Sequence, residues 1–161
     1  WERPRLLRHA LELILQQDAP WSIFEVIVVD DSPTCSLALG VLEGLDEGFV
    51  GTCLRYVHLE RRASIGAKRN LAAALSRGHV VMHWDDDDYY GVTRLMRQSA
   101  PVLSGEADVT LVPMLWTFHT QDATGPEGFY RTEAGGGGDL CTMCYRRSIW
   151  DAGDSTRRYA D

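Results

Sequence analysis

Between Glu25 and Val29 the chain reads Glu-Val-Ile-Val-Val and then turns at once into Asp30-Asp31-Ser32-Pro33. A nearly continuous β-branched run of this kind marks a strand buried on both faces, the habit of parallel sheets covered by helices. What precedes it fits that reading. Pro4 suits the first turn of a helix, where its missing N–H costs nothing. Leu6, Leu7, Ala10, Leu11 and Ile14 then recur at helical spacing as far as Gln17, and Asp18-Ala19-Pro20 stops the helix.

The alternation continues. A weaker helix is expected over Ser36–Leu45, then a strand over Leu54–Leu59 with Leu54, Tyr56 and His58 on one face. A helix over 66–77 is expected to stop at Gly78, a natural residue past a helix C-terminus. His79–Trp84 reads as a third strand, Val92–Ser104 as a helix disturbed near Pro101, and Asp108–Trp116 as a further strand. Residues 120–138 read as loop with short strands around Phe129-Tyr130-Arg131, and Leu140–Tyr145 as a short strand before a helical turn over Arg146–Asp151. Helices and strands in this order imply one α/β domain over residues 1–161 with a mostly parallel sheet flanked by helices. Such sheets bind ligands beyond the carboxyl ends of their strands. Both acidic turns, Asp30-Asp31 and Asp85–Asp88, fall at such ends.

Composition narrows the partners. The 161 residues carry 16 Lys and Arg against 23 Asp and Glu, a net charge of −7, which argues against a nucleic-acid binder. No apolar run approaches the length of a membrane span, and the expected location is the cytoplasm. Four cysteines are too few for a disulfide scaffold. Cys141-x-x-Cys144 has no second close pair to complete a zinc site, and buried thiols are the simpler reading. His9, His58, His79, His83 and His119 show no ligand spacing. Trp116, Phe118 and Phe129 suit core packing or stacking on a sugar, and Gly135–Gly138 suits a loop. The chain opens on Trp1 and stops at Tyr159-Ala160-Asp161, and both ends read as cut.

The four adjacent carboxylates Asp85-Asp86-Asp87-Asp88 are the sharpest chemical feature. On an extended backbone Asp85 and Asp87 would face one way, Asp86 and Asp88 the other. Like charges about 4 Å apart repel by about 1 kcal/mol in water and by more at a partly dry edge. Oxygen donors of this kind suit Mg²⁺ or Mn²⁺; a solvated acidic turn is the alternative. Trp84, Tyr89 and Tyr90 flank the run as walls of a site would. Upstream, Arg61, Arg62, Lys68 and Arg69 surround the start of a helix, where free N–H groups and the macrodipole favour an anion such as a diphosphate. The alternative is surface pairing with Glu43, Glu47 or Glu60.

Taken together, these segments resemble glycosyltransferase family 2, the nucleotide-sugar enzymes of the Rossmann-like GT-A fold. The matching stretches are Arg3-Pro4 with Ala10–Gln17, Glu25–Ser32, Ser64–Asn70, Trp84–Tyr90 and Leu140–Arg147. The resemblance implies that Asp31 binds the donor's base and that Asp30 supports it or contacts the nucleoside. It places Lys68 and Arg69 near the nucleotide and its phosphates. Asp85-x-Asp87 matches the Asp-x-Asp motif, with Asp87 the first candidate metal ligand and Asp85 shared between metal and donor. Asp86 would contact ribose or sugar, and Asp88 would orient its neighbours. The implied reaction is inverting transfer from a UDP- or GDP-type donor to a carbohydrate or other hydroxyl acceptor, with Mn²⁺ or Mg²⁺ as cofactor.

The chain departs from that pattern twice. No Glu-Asp pair follows the Cys-Tyr-Arg-Arg segment, so no catalytic base is assigned; Asp154 and Asp161 sit in no such motif. The first apolar strand of the family is also missing, which would leave an unpaired edge beside the 25–29 strand. Two other readings stay open: a binding module that holds a nucleotide sugar without transferring it, and a Mg²⁺-dependent nucleotidyltransferase or phosphatase.

Overall fold

The computed structural model describes residues 3–33, 40–119, 128–133 and 140–152. Helix α1 spans Pro4–Leu15 with Pro4 in its first turn and buries Ala10, Leu11, Leu13 and Ile14, as the apolar spacing requires. After a 3₁₀ turn at Trp21–Ile23, strand β1 covers Val26–Asp30. Helix α2, Glu47–Thr52, starts at Asp46, whose carboxylate accepts from the Phe49 N–H at 3.0 Å. Strand β2 follows directly at Leu54–His58.

Helix α3, Ile65–Leu75, is capped by Ser64, whose hydroxyl accepts from the Ala67 N–H at 3.1 Å. Then come β3 (Val80–Met82), α4 (Arg94–Ser104), β4 (Val109–Thr110), β5 (Met114–His119) and β6 (Gly128–Glu133). Strand β7 (Cys144–Arg146) and helix α5 (Arg147–Ala152) complete the described chain.

Strands β1 and β2 pair in parallel, with Val28 opposite Tyr56 and Asp30 opposite His58. Strand β7 lies between β3 and β4, antiparallel to both, and β5 pairs antiparallel with β6. The parallel half carries Asp30 at its carboxyl end. The antiparallel insertion of β7 brings residues 140–144 beside the end of β3.

The core is a wedge between α1 and the β1–β2 pair. Leu11, Ile14, Val41, Leu45, Phe49 and Cys53 are its buried centre, and Leu7, Val26, Val28, Leu54 and Trp84 pack against it. Packing Trp84 here anchors the chain one residue before the acidic run.

Several expectations need correction. Every residue of β1 is half-buried rather than fully buried, because among the described residues its only sheet partner is β2. Helix α3 ends at Leu75 with Ser76 extended, and Gly78 has no left-handed backbone; Gly105 plays that part for α4 at φ 82°. Pro101 lies inside α4 without ending it.

The 108–116 strand divides into β4 and β5. Leu140–Thr142 is a 3₁₀ turn rather than the start of a strand. Of the expected Ser36–Leu45 helix, residues 40–42 are helical and 43–45 turn away, while residues 36–39 lie outside the described residues, as do the Gly135–Gly138 run, Cys35, Asp154, Asp161 and the side chains of Trp116, Phe118 and Phe129.

Candidate functional site

Two strand ends and one helix converge. At the end of β1, Asp30 accepts from the Ser32 N–H at 2.9 Å and the Ser32 hydroxyl at 2.6 Å, and its second oxygen accepts from the Tyr56 hydroxyl. His58, two residues along the same face of β2, holds the Ser32 carbonyl at 2.8 Å. Burial alone would raise the Asp30 pKa, but the bonds from Ser32 and Tyr56 outweigh it and hold the carboxyl below its ordinary range.

Asp31 is buried, at 4% exposure. One oxygen accepts from the Ala63 N–H at 3.0 Å and the other from the Lys68 ammonium at 3.0 Å. Burial again pushes up, and these two partners more than reverse it.

Lys68 and Arg69 are consecutive on α3, yet they reach different strands. While Lys68 pairs with Asp31, Arg69 donates to Asp85 at 3.1 Å. The first turns of α3 therefore tie the turn after β1 to the acidic run after β3. Surface pairing with Glu43, Glu47 or Glu60 is not how these two cations are used. Arg61 and Arg62 remain exposed on the approach to α3.

The acidic run does not follow strand alternation. Strand β3 stops at Met82, and a turn at Asp86-Asp87 brings the Asp88 N–H to the Asp85 carbonyl at 3.4 Å. The turn groups Asp85 with Asp88 and leaves Asp86 beside Asp87, instead of pairing 85 with 87 and 86 with 88. Arg3 spans the second pair, donating to Asp86 and to Asp87 at 2.7 Å each. In the first pair, oxygens of Asp85 and Asp88 and the Cys141 sulfur lie within 4.8 Å of one another.

Burial raises the Asp85 pKa; Arg69 opposes this, and the charges on Asp88 and Asp87 reinforce it. Burial raises Asp86 too, with Arg3 opposing. Two half-buried carboxylates this close, one of them pushed upward, form a surplus of negative charge that a divalent cation would relieve. Their oxygens suit Mg²⁺ or Mn²⁺, and the adjacent thiol is a softer donor. The residues fit the cofactor that the sequence implied.

Behind the run, Trp84 and Tyr90 meet edge to face at 4.9 Å, and Tyr89 stands exposed at the rim. A shallow cleft in front is lined by Arg3, Pro4, Leu7, Asp30, Ser32, Val41 and Asp86. Sequence reasoning did not place Arg3 here, since its partners lie more than 80 residues away. Nor did it find the Tyr56–Asp30 bond, the Tyr90–Asp88 bond or Cys141 beside Asp88. His83 is buried, with Nδ1 3.2 Å from the Leu140 carbonyl.

The fold thus brings acidic turns at two carboxyl strand ends together through the basic residues of one helix. The sequence model described as Glycosyl transferase family 2 matches residues 2–148, and the chain belongs to that family. It is similar to the poly(ribitol-phosphate) beta-glucosyltransferase of Bacillus spizizenii, at 29% identity over 109 residues, 66% of this chain and 16% of the relative.

Among solved structures, S. aureus TarS 1-349 superposes with a TM-score of 0.66 at 23% identity over 92% of this chain and 45% of TarS 1-349. Its complex with UDP-GlcNAc gives 0.64 at 22% identity, over 91% of this chain and 43% of that one. The fold is thus the GT-A fold. This chain spans less than half the length of each of these relatives. No helix among the described residues is long and apolar enough to cross a membrane.

Proposed function

We propose that this chain forms the donor-binding part of a glycosyltransferase that takes a sugar from a UDP-type donor, with a divalent ion, and passes it to a hydroxyl acceptor. The observation that carries this reading is the double tie of α3, Lys68 to Asp31 and Arg69 to Asp85. It sets the Asp31 carboxylate and the acidic turn on either side of two positive charges, which supports their joint use on a nucleotide diphosphate. TarS structures hold UDP and UDP-GlcNAc, which supports a uridine donor here.

In this reading Asp31 accepts from the base, and Asp30, fixed by Ser32 and Tyr56, shapes the nucleoside side of the cleft. Asp86 faces that cleft and would meet the ribose or donor sugar. Lys68 and Arg69 would offset the charge of the diphosphate. Asp85, Asp87 and Asp88 would hold Mn²⁺ or Mg²⁺. When bound, the ion would stabilise charge developing on the departing nucleoside diphosphate. Inverting attack by the acceptor needs a general base within hydrogen-bond reach of its hydroxyl, and no described residue is assigned that role.

The test is release of UDP from UDP-glucose or UDP-GlcNAc, with poly(ribitol phosphate) as first acceptor because it is in the name of the curated relative. Release that needs both acceptor and Mn²⁺ is expected. Binding of UDP without any release would favour a non-catalytic module, and failure to bind UDP would refute the reading.

A further inference from the structure

Asp88 is held differently from its three neighbours. Asp85, Asp86 and Asp87 each meet an arginine. Asp88 instead accepts, on Oδ2, from the Tyr90 hydroxyl at 2.6 Å and from the Cys141 thiol at 3.6 Å. Tyr90 itself is buried, at 7% exposure. Its ring lies under the Arg94 guanidinium, whose carbon is 3.5 Å from the ring centroid, with Trp84 4.7 Å from the same carbon.

Arg94 is also buried, at 6% exposure. Its Nε donates to Gln98 at 2.8 Å and its Nη2 to the His83 carbonyl at 2.7 Å. Gln98 in turn donates to the Thr142 carbonyl at 2.9 Å. No carboxylate touches Arg94 among the described residues, and its Nη1 has no hydrogen-bond partner. A buried guanidinium without a carboxylate is costly. Its positive charge is met by two aromatic faces and, through Tyr90, by the anion of Asp88.

We propose that Tyr90, seated on the buried Arg94, is a positioning residue that fixes Asp88 beside Asp85 so that the two carboxylates receive a divalent cation together. The inference rests on the metal-assisted reading above and adds to it the residue that holds the site's shape. The hydroxyl occupies one oxygen of Asp88 and stops the carboxylate from swinging away from Asp85 or turning out to solvent. Arg94 is itself held on both sides, by Gln98 in α4 and by the His83 carbonyl just past β3, and so fixes the ring. Hydrogen-bonding partners of metal ligands commonly contribute about 10–100-fold in metal affinity.

The experiment measures Mn²⁺ affinity in the presence of UDP, by electron paramagnetic resonance of free Mn²⁺, for the wild-type chain, Tyr90→Phe, Tyr89→Phe and Asp88→Ala. Thermal melts run alongside. Tyr90→Phe keeps the ring on Arg94 and removes only the hydroxyl. It is expected to weaken Mn²⁺ about 10-fold or more while the melting temperature stays within a few degrees. Tyr89→Phe, on an exposed ring stacked on His9, is expected to bind as the wild type does.

Wild-type Mn²⁺ affinity in Tyr90→Phe, or equal losses in both tyrosine variants, would overturn the positioning role. If Asp88→Ala still weakens Mn²⁺, the metal reading survives that result. If Tyr90→Phe melts far lower, Arg94→Lys supplies the second comparison: it keeps the charge and gives up the flat stack. Loss of Mn²⁺ affinity at near wild-type melting is expected for that variant, and unchanged affinity would overturn the role. A wild-type chain that binds no Mn²⁺ with UDP would overturn both this inference and the metal-assisted reading.

Discussion

Lys68→Met is expected to lower the stability of the fold and weaken UDP binding together. Asp31 is almost wholly shielded, and the Lys68 ammonium is the cation paired with its charge, beside the Ala63 N–H. Removing the ammonium leaves a buried carboxylate without that countercharge. Breaking one side of a buried ion pair costs about 3–5 kcal/mol; Lys68 is partly open to water, so a loss near the lower figure is expected. Loss of a hydrogen bond to a charged group costs about 1.5–3 kcal/mol, which predicts UDP affinity at least about tenfold weaker.

The sign with pH is fixed by the Asp31 carboxyl, whose pKa is held low in the native fold. Its stabilisation is present above the ordinary carboxylate range and is lost as pH falls through the native value. The deficit of Lys68→Met should therefore be largest near neutrality and fade only as pH falls below the ordinary carboxylate range, where the carboxyl takes up its proton. Urea denaturation at pH 7 and across a series below that range reads this directly. Adding Asp31→Asn should recover much of the loss at pH 7, since no buried charge then remains. An unchanged deficit in the double variant would show that Lys68 acts through something other than Asp31.

The second large effect is acid lability centred on His83. Its ring is buried against Tyr145, near the positive charges of Arg69 and Arg94, with Nδ1 on the Leu140 carbonyl. Burial first, opposed by the Leu140 bond and aided by the two arginines, pushes its pKa down to about 4. Unfolded chains protonate histidine near 6.5. Between those values the unfolded state binds a proton that the folded state refuses, so stability falls as pH falls.

The drop attributable to His83 is about 3 kcal/mol between pH 6.5 and 4, at about 1.4 kcal/mol per unit. Asparagine can still donate to the Leu140 carbonyl but does not titrate. His83→Asn should therefore lose that much less stability across the same interval, whatever its starting value. Parallel stability curves for the two proteins would show that His83 is not the acid-sensitive group.

Much of this architecture is legible from local pattern. The β-branched run ending in Asp30 and the apolar spacing of α1 each report on their own neighbourhood, and both elements are where the pattern puts them. Asp31, Lys68, Arg69 and Asp85 were also named from residue type and place along the chain. What the sequence did not disclose is contact across distance.

Arg3 on Asp86 and Asp87, or Cys141 on Asp88, are set by how β7 inserts beside β3 and how α1 leans on the acidic turn. Register within the run is hidden for a related reason: strand alternation ends at Met82, where the backbone leaves the sheet and a turn groups Asp85 with Asp88. Arg94 gave a misleading signal of its own, as an arginine in an amphipathic helix normally points to water, whereas this one is buried beneath two rings.

If the two strand ends act together on a nucleotide diphosphate through a divalent ion, calorimetric titration of UDP into the chain, with Mn²⁺ and then with excess EDTA, reads that coupling. UDP binding that needs Mn²⁺, falls sharply in Asp85→Ala and disappears in EDTA is the predicted result. UDP binding that is equally tight in EDTA, or untouched by Asp85→Ala, would contradict it.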